Sequence, residues 1–402
     1  MILDLGDLLA ANTDKLVQLR RHLHAHPELG RAERETTALV ARYLEGAGLR
    51  PRLLPSTTGL VCDVGTGDGP VVALRADLDA LAVQDGKDVP YHSTVPGVSH
   101  ACGHDVHTTV LLGAGLALAG HAAELPGRVR LIFQPAEEVL PSGSKDIIAA
   151  GALDGVSAIF ALHCDPKVEV GKVGVRAGPI TAAYDEIELQ LFGSGGHSSR
   201  PHMAPDLVYI IAKVITDLPG ALSRLVNPAS VLTATFGAVQ AGTASNAIPS
   251  SARASGTVRV LDQRAWDAAP KIIERLVEAT VAPYGITWDL TYERGAPPVD
   301  NDEVATGVLA GAARRALGDG SLVTAPQSLG GEDFAWYLQE VPGVMARLGV
   351  RLPGSTFDLH SAMFDVDERA IPVGVRVLAQ TAVDALEHYA AQYPDPRAPR
   401  TA

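Results

Sequence analysis

The feature that most constrains this chain is a series of short, almost wholly apolar runs set between helical patterns. Residues 71–74 read Val-Val-Ala-Leu, residues 158–162 read Ala-Ile-Phe-Ala-Leu, and residues 129–133 are apolar apart from Arg130. Such runs suit strands buried on both faces, because a strand with one wet face would alternate. Between and around them lie helical patterns over residues 34–47, ending at Gly46 or Gly48, over residues 110–119, and near residues 145–150. This rhythm predicts an α/β fold with a mostly parallel sheet covered by helices on both faces.

The pattern changes near Tyr184. Ile187, Leu189 and Leu191 alternate with Glu186, Glu188 and Gln190, as in a strand with one solvated face. A helix is expected over residues 204–218, strands over 230–239 and 252–260, a second helix over 263–280, and a last strand over 287–293. The order β-α-β-β-α-β is that of a ferredoxin-like α+β module. We read residues 183–294 as an inserted domain, with the main domain discontinuous over residues 1–182 and 295–402. No repeat is visible, and the only low-complexity stretch is the tail from Pro394.

At 402 residues, 47% hydrophobic and 20% charged, the chain has the material for two globular domains. A net charge of −13 argues against nucleic acid and anionic membranes as partners, since both need a basic footprint. Asp4, Asp7 and Asp14 interrupt the N-terminal segment, which lacks the basic start and apolar core of a signal peptide. No run of about 18 apolar residues looks like a membrane span. Three cysteines, Cys62, Cys102 and Cys164, point to a reducing compartment without a disulfide framework, so a cytoplasmic protein is expected.

The 13 histidines cluster. The densest group is His100-Ala-Cys-Gly-His104-Asp-Val-His107, at the start of a helix. A thiolate at Cys102 and an imidazole at His104 suit a borderline-soft divalent ion, with Gly103 bending the backbone so that both converge and Asp105 orienting a ligand from behind. The bland alternative is a buried cysteine beside capping residues. Glu137 and Glu138 directly follow the run at residues 129–133, where parallel sheets bind ligands. Two adjacent carboxylates there need a cation or a proton between them, unless they merely open a helix. His163 follows another apolar run, and His360 lies far downstream in Asp358-Leu-His360-Ser. Either alone reads as a structural or solvated histidine. Together, Cys102, His104, Glu138, His163 and His360 exceed what one tetrahedral ion needs, so two ions with a bridging ligand fit better and Glu137 remains as general base.

These motifs resemble the di-metal aminoacylase and carboxypeptidase superfamily, in the branch of hippurate hydrolases, indole-acetyl-amino acid hydrolases and other N-acyl-amino acid amidohydrolases. The resemblance is carried by Arg21-His-Leu-His-Ala-His-Pro-Glu-Leu-Gly30, Leu74-Arg-Ala-Asp-Leu-Asp79, the His100 to His107 run and Gln134-Pro-Ala-Glu-Glu138. It continues through Gly193-Ser-Gly-Gly-His197-Ser-Ser-Arg-Pro-His202, Gly330-Gly-Glu-Asp-Phe334 and Leu359-His360 to Arg369. It implies Cys102 as the bridge between two ions, His104, Glu138, His163 and His360 as further ligands, and Asp79 behind them. Glu137 would take a proton from the attacking water and pass it to the leaving amine. His197, in a lid domain, would donate to the developing oxyanion, with Asn246 and His202 contacting substrate. The N-terminal His22, His24 and His26 are read as packing residues, and Ala82 stands where many relatives have proline.

The expected activity is hydrolysis of N-acyl amino acids to a carboxylate and a free amino acid, on two divalent ions of Zn, Mn, Co or Ni. Two alternatives are a dipeptidase or carboxypeptidase-type exopeptidase and a non-catalytic metal- or ligand-binding protein. A purely structural site has no need of the second carboxylate at Glu137. The resemblance also implies a homodimer.

Overall fold

The computed structural model describes Leu3, residues 5–65 and residues 68–391; Asp4 and the tail from Pro394 lie outside the described residues. The chain divides into two compact units. One runs to Gly178 and takes in Asn301–Pro326 and the chain from Trp336; the other comprises Pro179–Asp300 and Gln327–Ala335.

The first unit is built on an eight-stranded sheet. Its four central strands, in spatial order Arg128–Gln134, Val71–Asp77, Val156–Asp165 and Gly343–Gly349, are all parallel. Leu60–Val64 pairs antiparallel on one flank and Val173–Val175 on the other. Val71–Asp77 and Gly343–Gly349 are buried at every position, Arg75, Asp77 and Arg347 included, as in a sheet covered on both faces. Helix His104–Ala119, apolar all round after its first turns and buried almost throughout, packs against helices Gly6–Ala25 and Ala370–Ala390. It starts at His104, two residues before Val106, and its polar first turn is buried.

The second unit carries a four-stranded antiparallel sheet in the order Thr233–Ala241, Ser251–Val260, Ala183–Phe192, Thr287–Ala296. Counted along the chain this is 2-3-1-4, a ferredoxin-like arrangement with helices Leu207–Leu225 and Gln263–Val281. Asp206 caps the first helix through the Val208 and Tyr209 amides, and Asp262 caps the second through Ala265. Ile187, Leu189 and Leu191 face inward, as their alternation requires.

The second unit runs over Pro179–Asp300 rather than residues 183–294, and it also takes in Gln327–Ala335. Backbone pairing decides this. The Ser328 amide donates to Ile180 O at 2.9 Å and Ser328 O accepts from Ala182 at 3.0 Å. Arg259 also donates to Leu329 O at 3.1 Å. Among the described residues, no helix is long and apolar enough to cross a membrane.

Candidate metal centre

The residues singled out in the first unit gather around the C-terminal ends of the central parallel strands, where α/β sheets bind ligands. Asp77 closes one strand and Asp79 follows it; Glu137 and Glu138 follow the strand Arg128–Gln134. His163 lies inside the strand Val156–Asp165, not after it, because pairing with Gly343–Gly349 extends the ladder past His163 to Asp165. His360 stands on the loop after Gly343–Gly349, at a positive φ of 63° and tied by its amide to Ala101 O at 2.8 Å. Cys102 and His104 flank Gly103, the cap of helix His104–Ala119. Gly103 has a φ of 87°, and a Cβ there would meet Cys164 Sγ at 2.9 Å.

Two groups of donor atoms result, each within 4.8 Å: Cys102, His104 and His163, and Cys102, Glu138 and His360. Cys102 belongs to both. A third grouping joins His104 to Glu137 and Glu138. Cys102 Sγ lies 3.6 Å from His163 Nε2, and Glu138 Oε1 lies 3.3 Å from His360 Nε2 and 3.9 Å from His104 Nε2.

The tautomers are set by backbone acceptors. His163 Nδ1 donates to Cys164 O at 2.8 Å, which leaves Nε2 with its lone pair toward Cys102. His104 Nδ1 donates to Asp79 O at 2.9 Å, so Nε2 is the ligating atom there as well. Burial, reinforced by the Arg347 charge, holds the His163 pKa well below its ordinary value, so the ring is a neutral ligand. Burial also disfavours charge on His104, yet Asp77, Asp79 and Glu138 outweigh it and push its pKa up to about 10. The carboxylates around His104 favour a positive charge at this spot. Among the described residues, His104 Nε2 and Glu138 Oε1 are both buried without a hydrogen bond, Glu138 Oε1 having only the ion-pair contacts to His360 and His104. Orphaned donor atoms, a thiol, imidazoles and carboxylates converging on one spot fit divalent ions.

Behind these groups stands a layer that the sequence revealed only in part. Asp79 stands behind two of the candidate ligands: its Oδ2 accepts the Glu138 amide at 2.9 Å and its backbone carbonyl accepts from His104. Asp105 does not orient a candidate ligand. It is turned away, toward Arg20 Nε at 2.8 Å and His24 Nδ1 at 2.7 Å, because the adjoining helix Gly6–Ala25 brings a buried guanidinium there. Asp77 and His107 supply the missing support. His107 Nδ1 donates to Asp77 Oδ1 at 2.6 Å, and His107 Nε2 accepts the Cys164 amide at 2.8 Å, pinning the backbone beside His163. The strand-end Asp-x-Asp and the i, i+3 spacing of His104 and His107 on one helix were the available signals. His24 packs between Asp85 and Asp105, while His22 and His26 stack on each other with centroids 4.4 Å apart.

His197, Asn246 and His202 belong to the second unit, and all three are exposed. His197 sits on a two-residue strand paired with Ala247, and Asn246 O accepts the Ser198 amide at 3.1 Å. His197 Nδ1 accepts the Ser199 amide at 3.1 Å, so the neutral ring carries its proton on Nε2.

A family model described as peptidase family M20/M25/M40 matches residues 73–384. The chain belongs to this peptidase family. The match spans both units and every candidate ligand, so family and site together define a metal-dependent amide hydrolase. The chain is 49% identical over 365 residues to a putative glutamate–cysteine ligase 2-3 of Rhodococcus jostii (strain RHA1), covering 90% of this chain but only 46%, about half, of that relative. It is 39% identical to the N-acetylcysteine deacetylase of Bacillus subtilis (strain 168), covering 93% of this chain and 97% of the deacetylase. Among solved structures, the YXEP protein of Bacillus subtilis, described as a dinuclear metal binding peptidase from the M20 family, superposes with a TM-score of 0.83. It shares 36% identity, over 94% of this chain and 99% of that protein.

Proposed function

We propose that the chain hydrolyses N-acyl amino acids to a carboxylate and a free amino acid, using two divalent ions. The observation that carries this reading is the pair of donor groups sharing Cys102, with Glu137 beside them. The named activity of the deacetylase relative and the dinuclear site of the solved M20 peptidase support it.

In this reading Cys102, His104, His163, Glu138 and His360 would hold the two ions, with Cys102, common to both donor groups, as the shared ligand. Bound there, a divalent pair supplies Lewis acidity that polarises the scissile carbonyl and makes water a nucleophile at neutral pH. Glu137 accepts a proton from the attacking water and returns it to the departing amine nitrogen. The Asp79 and Cys164 carbonyls hold the Nδ1 protons of His104 and His163, so that Nε2 of each ring faces the site. We keep His197 as the donor to the oxyanion, supported by its Nε2–H tautomer. Asn246 and His202 remain the proposed substrate contacts. A thiolate with imidazoles favours zinc, with manganese, cobalt or nickel as the other candidates.

We assign the second unit a lid and dimerisation role. Its edge strand Thr233–Ala241 pairs on one side only among the described residues and exposes Val239, which suits pairing with a second copy. Sedimentation at micromolar concentration should show twice the mass of one chain; a monomer would refute this. The thiols of Cys62, Cys102 and Cys164, none in a disulfide, suit a cytoplasmic protein.

The test is a hydrolysis screen of acetyl, benzoyl, long-chain acyl and peptidyl amino acids with each metal, beside Glu137→Gln. Turnover of at least one acyl amino acid is expected, falling about 10³-fold in the variant at unchanged metal content. Cleavage of peptidyl substrates alone would favour an exopeptidase, and undiminished turnover by the variant would remove Glu137 as the base.

A further inference from the structure

Glu33 is a fully buried carboxylate with no part in the reading above. It stands at the N-cap of helix Arg34–Gly46, where an acidic side chain ordinarily accepts first-turn amides. It makes no such bond. Glu28 serves that helix instead, taking the amides of Glu35 at 3.1 Å and Thr36 at 2.8 Å. Glu33 turns the other way. Its Oε1 accepts the Ala136 amide at 2.7 Å, and its Oε2 accepts the Thr58 hydroxyl at 2.5 Å.

The residue it holds is strained. Ala136, immediately before Glu137, has a φ of 53°, in the left-handed region that a residue with a Cβ avoids. Such a conformation persists only where the surroundings over-determine it. Here both backbone groups of Ala136 are tied, its amide to Glu33 and its carbonyl to the Gly143 amide at 2.9 Å. On the other side of Glu137, the Glu138 amide is tied to Asp79 Oδ2 at 2.9 Å. Carboxylates thus clamp the backbone one residue before and one residue after Glu137. Gly30 lets the turn before Glu33 lie against both clamps: a Cβ there would be 3.2 Å from Asp79 Oδ2 and 3.3 Å from Ala136 Cα.

We propose that Glu33 is a positioning residue for Glu137, fixing Ala136 in the left-handed conformation and so setting the direction in which the Glu137 side chain leaves the backbone. The proposal rests on the reading of Glu137 as the base. Released from Glu33, Ala136 relaxes toward negative φ and Glu137 departs from its geometry, while the ligands on other segments stay in place.

Glu33→Leu removes both acceptors at similar volume. Its kcat should fall about tenfold to a hundredfold, the scale of a misplacement of about 1 Å, with KM within about twofold. Metal content should not change, and the Ala136 amide should exchange hydrogen faster. Glu33→Gln, which keeps a weaker neutral acceptor, should lose only about two- to fivefold. Adding Ala136→Gly to Glu33→Leu should recover part of the loss, since glycine takes positive φ without strain. Unchanged kcat in Glu33→Leu, or a loss that merely follows metal or folded protein, overturns the proposal. If Glu33→Leu does not fold, Glu33→Gln decides: unchanged kcat and unchanged Ala136 exchange refute positioning. Glu137→Gln measured alongside separates the two claims. A fully active Glu137→Gln removes the base reading, whereas an inactive one beside a fully active Glu33→Leu removes the positioning role alone.

Discussion

Cys102 is the residue on which the donor geometry turns, because it alone joins both ligand groups. Replacing it with alanine should reduce bound metal to half or less by elemental analysis; full occupancy of both positions would exclude a bridge at this site. Residue types with ligand chemistry were readable from order and spacing alone: Cys-x-His, Glu-Glu after an apolar run, and histidines at strand ends. Orientation was not readable. Asp105 follows His104 directly, yet its carboxylate serves Arg20 and His24, because the start of a helix sends successive side chains in different directions. The supports from Asp77 and His107 likewise depend on a strand end and a helix face meeting in space.

At the level of elements, the start of the helix His104–Ala119, where it packs on the strand Val156–Asp165, carries the most constraint. Gly103 has a left-handed φ, and any Cβ would collide with Cys164. Gly103→Ala should therefore lower thermal stability by about 1–2 kcal/mol from backbone strain alone. Metal affinity should fall with it, as Cys102 and His104 are pushed apart. A melting curve and a metal titration check both, and an unaltered titration would mean that the helix start does not set ligand spacing. Buried strands were legible because they are short and apolar. The burial of the first turn of His104–Ala119 was not, since His104, Asp105, His107, Thr108 and Thr109 look solvated but are buried by tertiary contacts. The segment Gln327–Ala335 carries no local signal for the unit it joins, because backbone hydrogen bonds to Ile180 and Ala182 place it there.

For the whole molecule, charge is held inside as well as at the site. Arg20 is fully buried against Asp105, Asp365 and Glu368. Arg20→Met should cost about 3–5 kcal/mol in urea unfolding, since it strands carboxylates without a counter-charge. Burial alone would raise the Asp105 pKa, but Arg20 and His24 overcome it and hold the carboxyl far below its usual range. A folded-state pKa lowered in this way stabilises the fold above the unfolded value, about 3.9, and that stability is lost as pH falls below it. Unfolding measured from pH 7 to pH 3 should show this acid loss, and a smaller one in Arg20→Met. Chelation should also lower the melting temperature, because ions bound only by the folded chain stabilise it by about 2.7 kcal/mol at a hundredfold excess over Kd. A melting curve indifferent to chelator would argue against bound metal. The sequence by itself determined which strands are buried, that the strand pattern changes near Tyr184, and which side chains have the chemistry to ligate or move a proton. Those are local matters of hydrophobic period, residue chemistry and spacing. The tertiary structure alone decided which of those side chains meet, which way each carboxylate turns, and that Glu33, 104 positions before Glu137, holds the backbone beside it. Contacts between segments far apart in the chain leave no periodic trace in either segment.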